Sequence, residues 1–477
     1  MTSRTAIAWS AVEAGASGCF SMASAFLIAR LIGPAELGVG AAAVSIHVLF
    51  WVGVNALFAD AMVQRASMDE SAAASAFWAS SLIGVAAGLA QAAAGLGLRE
   101  AVGDARLVPM SLVLAAVLPL VGAAGAVQGL LTRTSRYKLL AARTIIGQGA
   151  GTAVGIACAL HGAGAWSMVF QQATTSLCGA LVLLLRARWR PTLSCRWSAV
   201  RDMLALGGPL TLSTLVLHGR YRLFAVLIGA TAGPAVLGEV HLAFRLVDTV
   251  RELVSTALWR LMLPTMSRVQ SDPKKLLASA DAWQAWSGVI LFPLCAVLYV
   301  SVGPLTRILL GPAWAQAGSA AALLAVLAGW SFLLFPAGVC LVALGRPDVA
   351  LRANIGSCTL LLAGALVLRP GNAREAVWIW IAAQAGTGPY MLARCSRYVG
   401  SSIPALLRAG AKSALLCAAA AEAAMAVSGI LGGHHHAVWT LVQRISALGV
   451  FLALAAPVIL PAGTLWRGGR NGSAPSL

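Results

Sequence analysis

One hexapeptide occurs twice in this chain, first as Gly33-Pro34-Ala35-Glu36-Leu37-Gly38 and, 200 positions later, as Gly233-Pro234-Ala235-Val236-Leu237-Gly238. The pairs Leu27-Ile28 and Leu227-Ile228 extend the match, and Gly311-Pro312-Ala313-Trp314 is a looser echo. Chance similarity is one explanation, because Ala and Gly are abundant throughout the chain. Both copies nevertheless form a short turn between two apolar stretches, so the pattern favours an internal duplication.

The composition around these turns is that of a polytopic membrane protein. Of the 477 residues, 59% are apolar and only 10% are charged, and the mean hydropathy is +0.83. A soluble domain carries about 25% charged residues, so a soluble protein is excluded. The net charge of +18 is explained by basic loops at one face of a membrane, and it requires no nucleic-acid partner.

Apolar windows of about 19 residues predict an all-α fold with about fourteen transmembrane helices. These run over 6–29, 37–59, 75–98, 107–131, 144–160, 166–185, 203–228, 237–262, 281–302, 318–344, 353–368, 376–392, 413–431 and 438–460. The corresponding domains are an N-terminal six-helix bundle (1–185), a basic linker (186–202), a second six-helix bundle (203–392) and a C-terminal helix pair with its tail (393–477). Because six is an even number, the two copies share one orientation, and this predicts a parallel repeat of two bundles that face each other across a cleft.

The basic residues predict the orientation of this threading in the membrane. The side that holds the N-terminus carries 22 Lys and Arg, the other side carries 6, and the remaining 6 lie within or at the ends of spans. Lys and Arg accumulate in cytoplasmic loops. We therefore expect both termini, and the linker, to be cytoplasmic.

Several motifs resemble those of bacterial oligosaccharide flippases. They are Ala29-Arg30-Leu31-Ile32-Gly33-Pro34-Ala35-Glu36-Leu37-Gly38, Val63-Gln64-Arg65, Leu237-Gly238, Ala243-Phe244-Arg245 and Pro264-Thr265-Met266-Ser267-Arg268. The family is the polysaccharide-transporter branch of the multidrug/oligosaccharidyl-lipid/polysaccharide (MOP) superfamily. The resemblance implies a multi-pass protein of the bacterial inner membrane that moves undecaprenyl-diphosphate-linked oligosaccharide repeat units by alternating access. It also implies membrane lipids as surroundings, and a polysaccharide polymerase and export machinery as partners in exopolysaccharide, capsule or O-antigen assembly.

Charged residues inside the eighth span are the first candidates for function, because ionisable groups in a membrane need a cavity or a partner. His241, Arg245, Asp248 and Glu252 fall within about 60° of arc on one helical face, with Arg251 to one side. Two interpretations are open. The charges line the transport cavity, or they form an ion-paired ladder in which Arg245 and Arg251 neutralise Asp248.

The seventh span adds His218 and Arg222 on one face. Arg222 and Arg245 lie at similar distances from the turn between their antiparallel helices, so we expect them at similar depths. Two guanidinium groups suit a diphosphate, since each planar fork donates two hydrogen bonds to phosphate oxygens. The substrate-binding candidates are therefore Arg222, Arg245, Arg251, His218 and His241. The alternative for Arg222 is that it reaches to the membrane surface.

The first span carries a polar stripe of Ser10, Glu13, Ser17, Ser21 and Ser24. Small hydroxyls also serve close helix packing, but a carboxylate at this depth needs a partner, a proton or a cation. Glu13, Asp248 and Glu252 are the candidates for coupling to a proton or sodium gradient. Ser17, Ser21, His47 and Asn55 are expected to line the cavity, and no cofactor or metal site is predicted.

Three other classes of protein fit the sequence less well. An enzyme of the same pathway would need an acidic metal-binding motif or a large outer loop, and neither occurs in this sequence. A multidrug or cation antiporter of the same superfamily would repel its cationic substrates with Arg222, Arg245 and Arg251. A peptidoglycan-precursor flippase is expected to carry arginines in its first two spans, where this chain has Glu13 and His47.

Overall fold

A computed structural model describes residues 3–65, 68–431 and 437–459, and these residues form α-helices joined by short turns. The helices are α1 (Ser3–Gln64), α2 (Glu70–Val102), α3 (Leu107–Ala115), α4 (Leu118–Arg133), α5 (Tyr137–Leu160), α6 (Trp166–Arg186), α7 (Trp197–Ala232), α8 (Pro234–Ser267), α9 (Pro273–Leu310), α10 (Ala315–Ala343), α11 (Pro347–Leu368), α12 (Ala373–Val399), α13 (Ile403–Ile430) and α14 (Ala437–Ile459). A short 3₁₀ turn, Pro312–Trp314, precedes α10. The predicted all-α polytopic fold is confirmed.

Two predicted boundaries differ from the structure. The first two predicted spans are the halves of α1, which breaks at Gly33 (φ 77°, ψ 172°). The predicted fourth span is instead divided into α3 and α4. Pro119 follows this break, and its lack of an N–H removes the hydrogen bond that would continue the helix to Ala115. Counting α1 as two segments and α3 with α4 as one gives the predicted fourteen.

The apolar helices are long enough to cross a bilayer, which needs about 20 residues. Within the described ranges, nine helices meet criteria of length and apolarity, or ten if the bent pair 197–216 and 219–232 is one span. The part of α1 that meets these criteria, Val12–Gln64, holds 53 residues, which is enough to cross the bilayer twice. The charged stripe makes α8 too polar to be counted, so this helix needs protein or water around its polar face.

The duplicated turns have the same backbone conformation. Gly233 (φ 87°, ψ 169°) repeats the geometry of Gly33, and Gly311 (φ 92°, ψ −179°) repeats it again before the 3₁₀ turn. Each glycine is followed by a proline that begins the next helix. A positive φ is accessible to glycine at little cost, which explains why glycine stands at each of these positions. The looser third copy is therefore a structural copy as well.

Glu36 is replaced by Val236 in the second copy of the hexapeptide. The side chain of Glu36 connects three turns. Its carboxylate accepts hydrogen bonds from Arg106 Nη1 and Nη2, at 3.0 and 2.9 Å, and from the Ala165 backbone N–H at 2.7 Å. Arg106 Nη2 also donates to Asp104 Oδ2 at 2.8 Å. Hydrogen bonding to the Arg106 guanidinium holds the pKa of the Asp104 carboxyl below its ordinary value. The cluster ties the turn of α1 to the loops before α3 and α6.

Residue contacts divide the chain into two compact units. The first comprises Met1–Arg245 and Leu361–Ala376, and the second comprises Leu246–Leu360 and Val377–Leu477. In the first, α1 packs on α4, α5 and α7, and α5 packs on α6; in the second, α9 packs on α10, α13 and α14. The domain limits predicted from the sequence follow the duplicated segments, whereas these two units are defined by residue contacts. The predicted limits therefore stay a prediction.

Glycines in α5 allow α6 to approach it closely. Gly147, Gly151 and Gly155 recur every four residues and so lie along one side of the helix. A Cβ on Gly151 would lie 1.9 Å from Thr175 Oγ1, and one on Gly155 would lie 2.8 Å from Gln171 Cβ. This contact fixes the position of the polar side chains of α6.

Candidate functional site

The first compact unit contains a cavity of about 100 Å³ between α1, α6, α7 and α8, which we call the arginine cavity. The polar side chains that line it are those of Ser24, Gln171, Gln172, Arg222, His241 and Arg245. The structure therefore brings together three of the five predicted substrate-binding residues.

The hairpin of α7 and α8 explains why the two arginines meet. Arg222 lies 11 residues before the turn at Gly233, and Arg245 lies 12 residues after it. At 1.5 Å per residue these are distances of about 17 and 18 Å along the two helices. The duplicated turn thus sets the two guanidinium groups at one level of the same cavity.

Aromatic and backbone groups position these cations. The guanidinium carbon of Arg222 lies 5.3 Å from the centre of the Tyr221 ring, and Tyr221 Oη shares a 2.9 Å hydrogen bond with His241 Nδ1. Arg245 Nη2 donates to the Ser21 carbonyl oxygen at 3.5 Å. Tyr221 therefore connects Arg222 to His241, and the carbonyl of Ser21 holds Arg245.

A second cavity of about 260 Å³, which we call the amide cavity, lies between α1, α4, α5 and α6 in the same unit. The polar and aromatic residues that line it are Glu13, Trp51, Asn55, Gln128, Arg143, Thr144, Gln148, Gln172, Thr175 and Ser176. Gln172 lines both cavities, and its Nε2 donates to Ser176 Oγ at 3.3 Å. The two cavities are therefore neighbours that meet at this amide.

Hydrogen bonds connect the polar stripe of α1 to α5 within the amide cavity. Thr144 Oγ1 donates to Glu13 Oε1 at 2.6 Å, and Gln148 Nε2 donates to Ser17 Oγ at 2.9 Å. Arg143, which directly precedes Thr144 in α5, donates to Gln128 Oε1 of α4. A carboxylate and a guanidinium thus face one cavity whose remaining polar lining is neutral.

The other predicted cavity residues have different surroundings. Asn55 lines the amide cavity. His47 is buried, and its Nδ1 hydrogen bonds with Gln91 Oε1 at 3.1 Å between α1 and α2. Ser21 contributes its carbonyl oxygen to Arg245. The side chain of His218 lies outside the described residues.

The remaining charges of α8 lie in the second compact unit. Arg251 Nε donates to Asp248 Oδ1 at 2.8 Å, three residues apart on the helix. This ion pair is one of the two contacts of the ladder described above, the contact between Arg251 and Asp248. Glu252 is exposed on the same helix.

Sequence reasoning missed most of the amide cavity. Ionisable groups inside spans do not point to Gln128, Gln148 and Gln172, although amides inside apolar spans also need hydrogen-bond partners. The predicted fifth span, 144–160, begins one residue after Arg143 and so leaves Arg143 in the preceding loop. The helix begins at Tyr137, and Arg143 therefore lies in its second turn.

Comparisons with known proteins agree on the family and the fold. A family model described as polysaccharide biosynthesis protein matches residues 27–319. The succinoglycan biosynthesis transport protein ExoT of Rhizobium meliloti (strain 1021) is 21% identical over 324 residues, which are 68% of this chain and 65% of that protein. The match thus spans just under two thirds of the relative's length.

Two solved structures are similar in fold. The lipid II flippase MurJ, in an inward closed conformation, superposes with a TM-score of 0.73 at 11% identity and covers 95% of this chain and 100% of that one. An inward-facing multidrug resistance MATE family transporter of the MOP superfamily gives a TM-score of 0.62 at 15% identity, with 81% and 96% covered. At such identities the likeness concerns the fold alone.

Proposed function

Because the chain belongs to the polysaccharide biosynthesis protein family, we propose that it is a flippase for undecaprenyl-diphosphate-linked oligosaccharide repeat units. It moves them across the bacterial inner membrane by alternating access, for the assembly of an exopolysaccharide, a capsule or O-antigen. Both termini face the cytoplasm in this proposal, as the distribution of Lys and Arg indicates. The lipid-linked oligosaccharide and membrane lipids are its direct partners, and a polymerase and export machinery act after it.

The observation that carries this proposal is the pair of arginines in one cavity. Arg222 and Arg245 line the same space, and each is held by a neighbouring polar or aromatic group. Two guanidinium groups in a partly desolvated cavity repel each other, so their arrangement suits a ligand that carries at least two negative charges. A diphosphate supplies those charges and accepts the paired hydrogen bonds of both guanidinium groups.

The rival transporter classes share the fold, so charge has to distinguish them. A multidrug or cation antiporter would bind a cation, which Arg222 and Arg245 disfavour. The similarity to a lipid II flippase concerns the fold alone. A lipid II substrate would itself carry a diphosphate, and its different sugar and peptide are the features that separate it from a repeat unit.

We propose further that Glu13 couples transport to an ion gradient. Its carboxylate lines the amide cavity, and the hydroxyl of Thr144 already donates to one of its oxygens. Arg143 faces the same cavity. The coupling ion in this proposal is a proton or a sodium ion. Asp248 is the less suitable candidate because it is ion-paired with Arg251.

The test is the fate of the lipid-linked intermediate in cells. Deleting the gene from its host should cause undecaprenyl-diphosphate-linked oligosaccharide to accumulate in the cytoplasmic leaflet, while surface polysaccharide is lost. The wild-type gene should reverse both effects, whereas a gene for the Arg222→Ala/Arg245→Ala double variant should reverse neither at equal membrane abundance. Normal surface polysaccharide without accumulation of the intermediate would contradict the proposal.

A further inference from the structure

The lining of the amide cavity differs in chemistry from that of the arginine cavity. Most of its polar groups are neutral amides and hydroxyls, supplied by Asn55, Gln128, Gln148, Gln172 and neighbouring Thr and Ser residues, and Trp51 provides an aromatic surface. A side-chain amide offers two donor hydrogens and an acceptor oxygen. A sugar hydroxyl likewise both donates and accepts, and an indole ring offers a broad apolar surface against which a pyranose ring can lie.

One acceptor in this cavity has no partner among the described residues. The Nε2 group of Gln148 donates to Ser17, but its Oε1 atom is buried and accepts no hydrogen bond there. Buried polar atoms are almost always hydrogen-bonded in proteins. This oxygen is therefore an available acceptor for a hydroxyl group that enters the cavity.

The position of the amide cavity relates it to the diphosphate site. Gln172 lines both cavities, so a ligand whose anionic group lies between Arg222 and Arg245 meets the amide cavity directly beyond this side chain. The volume of about 260 Å³ lies just below the range of about 300–1,000 Å³ that is usual for small-molecule sites, so the cavity does not hold a whole polymer repeat. What enters is therefore the part of the ligand nearest to its charged group.

We propose that the amide cavity is the subsite for the sugar attached directly to the lipid diphosphate, with Trp51, Gln148 and Gln172 as specificity-determining residues. This inference rests on the proposed function, because it assumes that the arginine cavity holds the diphosphate. Glu13 lies in the same cavity, so occupancy by the sugar excludes water around the coupling carboxylate. Recognition of the first sugar and ion coupling thereby share one site.

The test compares lipids that differ only in the sugar. The purified full-length protein is titrated with undecaprenyl diphosphate and with its glucosyl, galactosyl and N-acetylglucosaminyl derivatives, and each Kd is measured by thermophoresis. The wild type should bind at least one glycosylated lipid more tightly than the bare diphosphate. Trp51→Leu and Gln148→Leu should each reduce this preference about two- to tenfold, the loss expected for one hydrogen bond or aromatic contact. Their affinity for the bare lipid, which also reports that the variants are folded, should not change.

Matched controls are Trp378→Leu and Gln270→Leu, which replace the same residue types at exposed positions and should keep the wild-type preference. If Trp51→Leu and Gln148→Leu retain the full preference, or lose affinity for bare and glycosylated lipids equally, the sugar subsite is wrong. If the wild type binds the bare diphosphate but no glycosylated lipid more tightly, this inference fails and the proposed function stands. A wild type that binds none of the four lipids contradicts the proposed function, and the inference falls with it.

Discussion

Gly38 and Gly238 occupy equivalent places in the two copies of the hexapeptide, and each lies against the backbone of the other copy. A Cβ on Gly38 would come within 1.7 Å of the Pro234 carbonyl oxygen, and one on Gly238 within 1.9 Å of the Pro34 carbonyl oxygen. The contact is reciprocal, as expected where two copies of a duplicated segment meet about a twofold axis. The repeat in the sequence is thus a repeat in the packing.

This contact leaves no room for a side chain. Gly38→Ala should force the two turns apart, and overpacking of this kind costs about 1–3 kcal/mol of folding free energy. The double variant Gly38→Ala/Gly238→Ala should cost less than the sum of the single variants, because both changes act on one contact. Membrane abundance and the thermal midpoint of the purified protein measure the effect.

Gly97→Ala is the control, since a Cβ there has no neighbouring atom within 4 Å. Equal thermal midpoints for Gly38→Ala and Gly97→Ala would show that the turns are not in contact.

The coupling carboxylate gives a second prediction. Glu13→Gln keeps the size of the side chain but removes the negative charge that a proton or a sodium ion neutralises, so flipping driven by an ion gradient should be lost while membrane abundance is kept. The measurement is gradient-dependent transport of lipid-linked oligosaccharide in proteoliposomes. Glu70→Gln, at the exposed start of α2, is the matched control. Undiminished gradient-dependent transport by Glu13→Gln would assign this residue a structural role.

The cluster of Glu36, Arg106 and Asp104 predicts a pH dependence of stability. Since Arg106 lowers the pKa of Asp104 in the folded protein, the ionised carboxyl stabilises the fold above its unfolded-state pKa of about 4. This contribution is lost as the pH falls through the lower folded-state pKa. The thermal midpoint of Asp104→Asn should therefore lie below that of the wild type at pH 6, and the difference should shrink below about pH 4. A constant difference from pH 6 to pH 3 would rule out the titration of Asp104 as its cause.

The orientation of the chain can be tested with cysteines. A variant that retains only Cys195, which is exposed in the linker, should react with a membrane-impermeant maleimide only after spheroplasts are permeabilised. A cysteine-free variant with Gly371→Cys, in the loop between α11 and α12, should react in intact spheroplasts. Labelling of both positions from the same side would overturn the predicted threading.

The sequence allowed some of these features to be predicted, and the reasons are physical. Helix number follows from apolar stretches of bilayer length, and the meeting of Arg222 with Arg245 follows from their nearly equal distances to Gly233. Charges inside spans are also visible in a sequence, because each one is costly in a membrane.

The amide cavity was not predictable in the same way. Gln128, Gln148 and Gln172 lie on three different helices, and only the packing of α4, α5 and α6 brings them together. A neutral amide costs less in a membrane than a charge, so no single glutamine identifies a site. The contacts of Glu36 with Arg106 and Ala165 were not predictable from the sequence either, because they connect turns that are far apart in the chain.

The central claim is that Arg222 and Arg245 bind the diphosphate of the transported lipid, and the export rate of repeat units in cells without their own flippase tests it most directly. At equal membrane abundance, the rate should fall in the order wild type, Arg222→Lys/Arg245→Lys, Arg222→Ala/Arg245→Ala, because lysine keeps the charge but loses the two-pronged hydrogen bonding. Each arginine replaced by alanine should weaken binding by about 1.5–3 kcal/mol, whereas Arg260→Ala, at an exposed position of α8, should export at the wild-type rate. If the double alanine variant also exported at the wild-type rate, the arginine cavity would not be the diphosphate site.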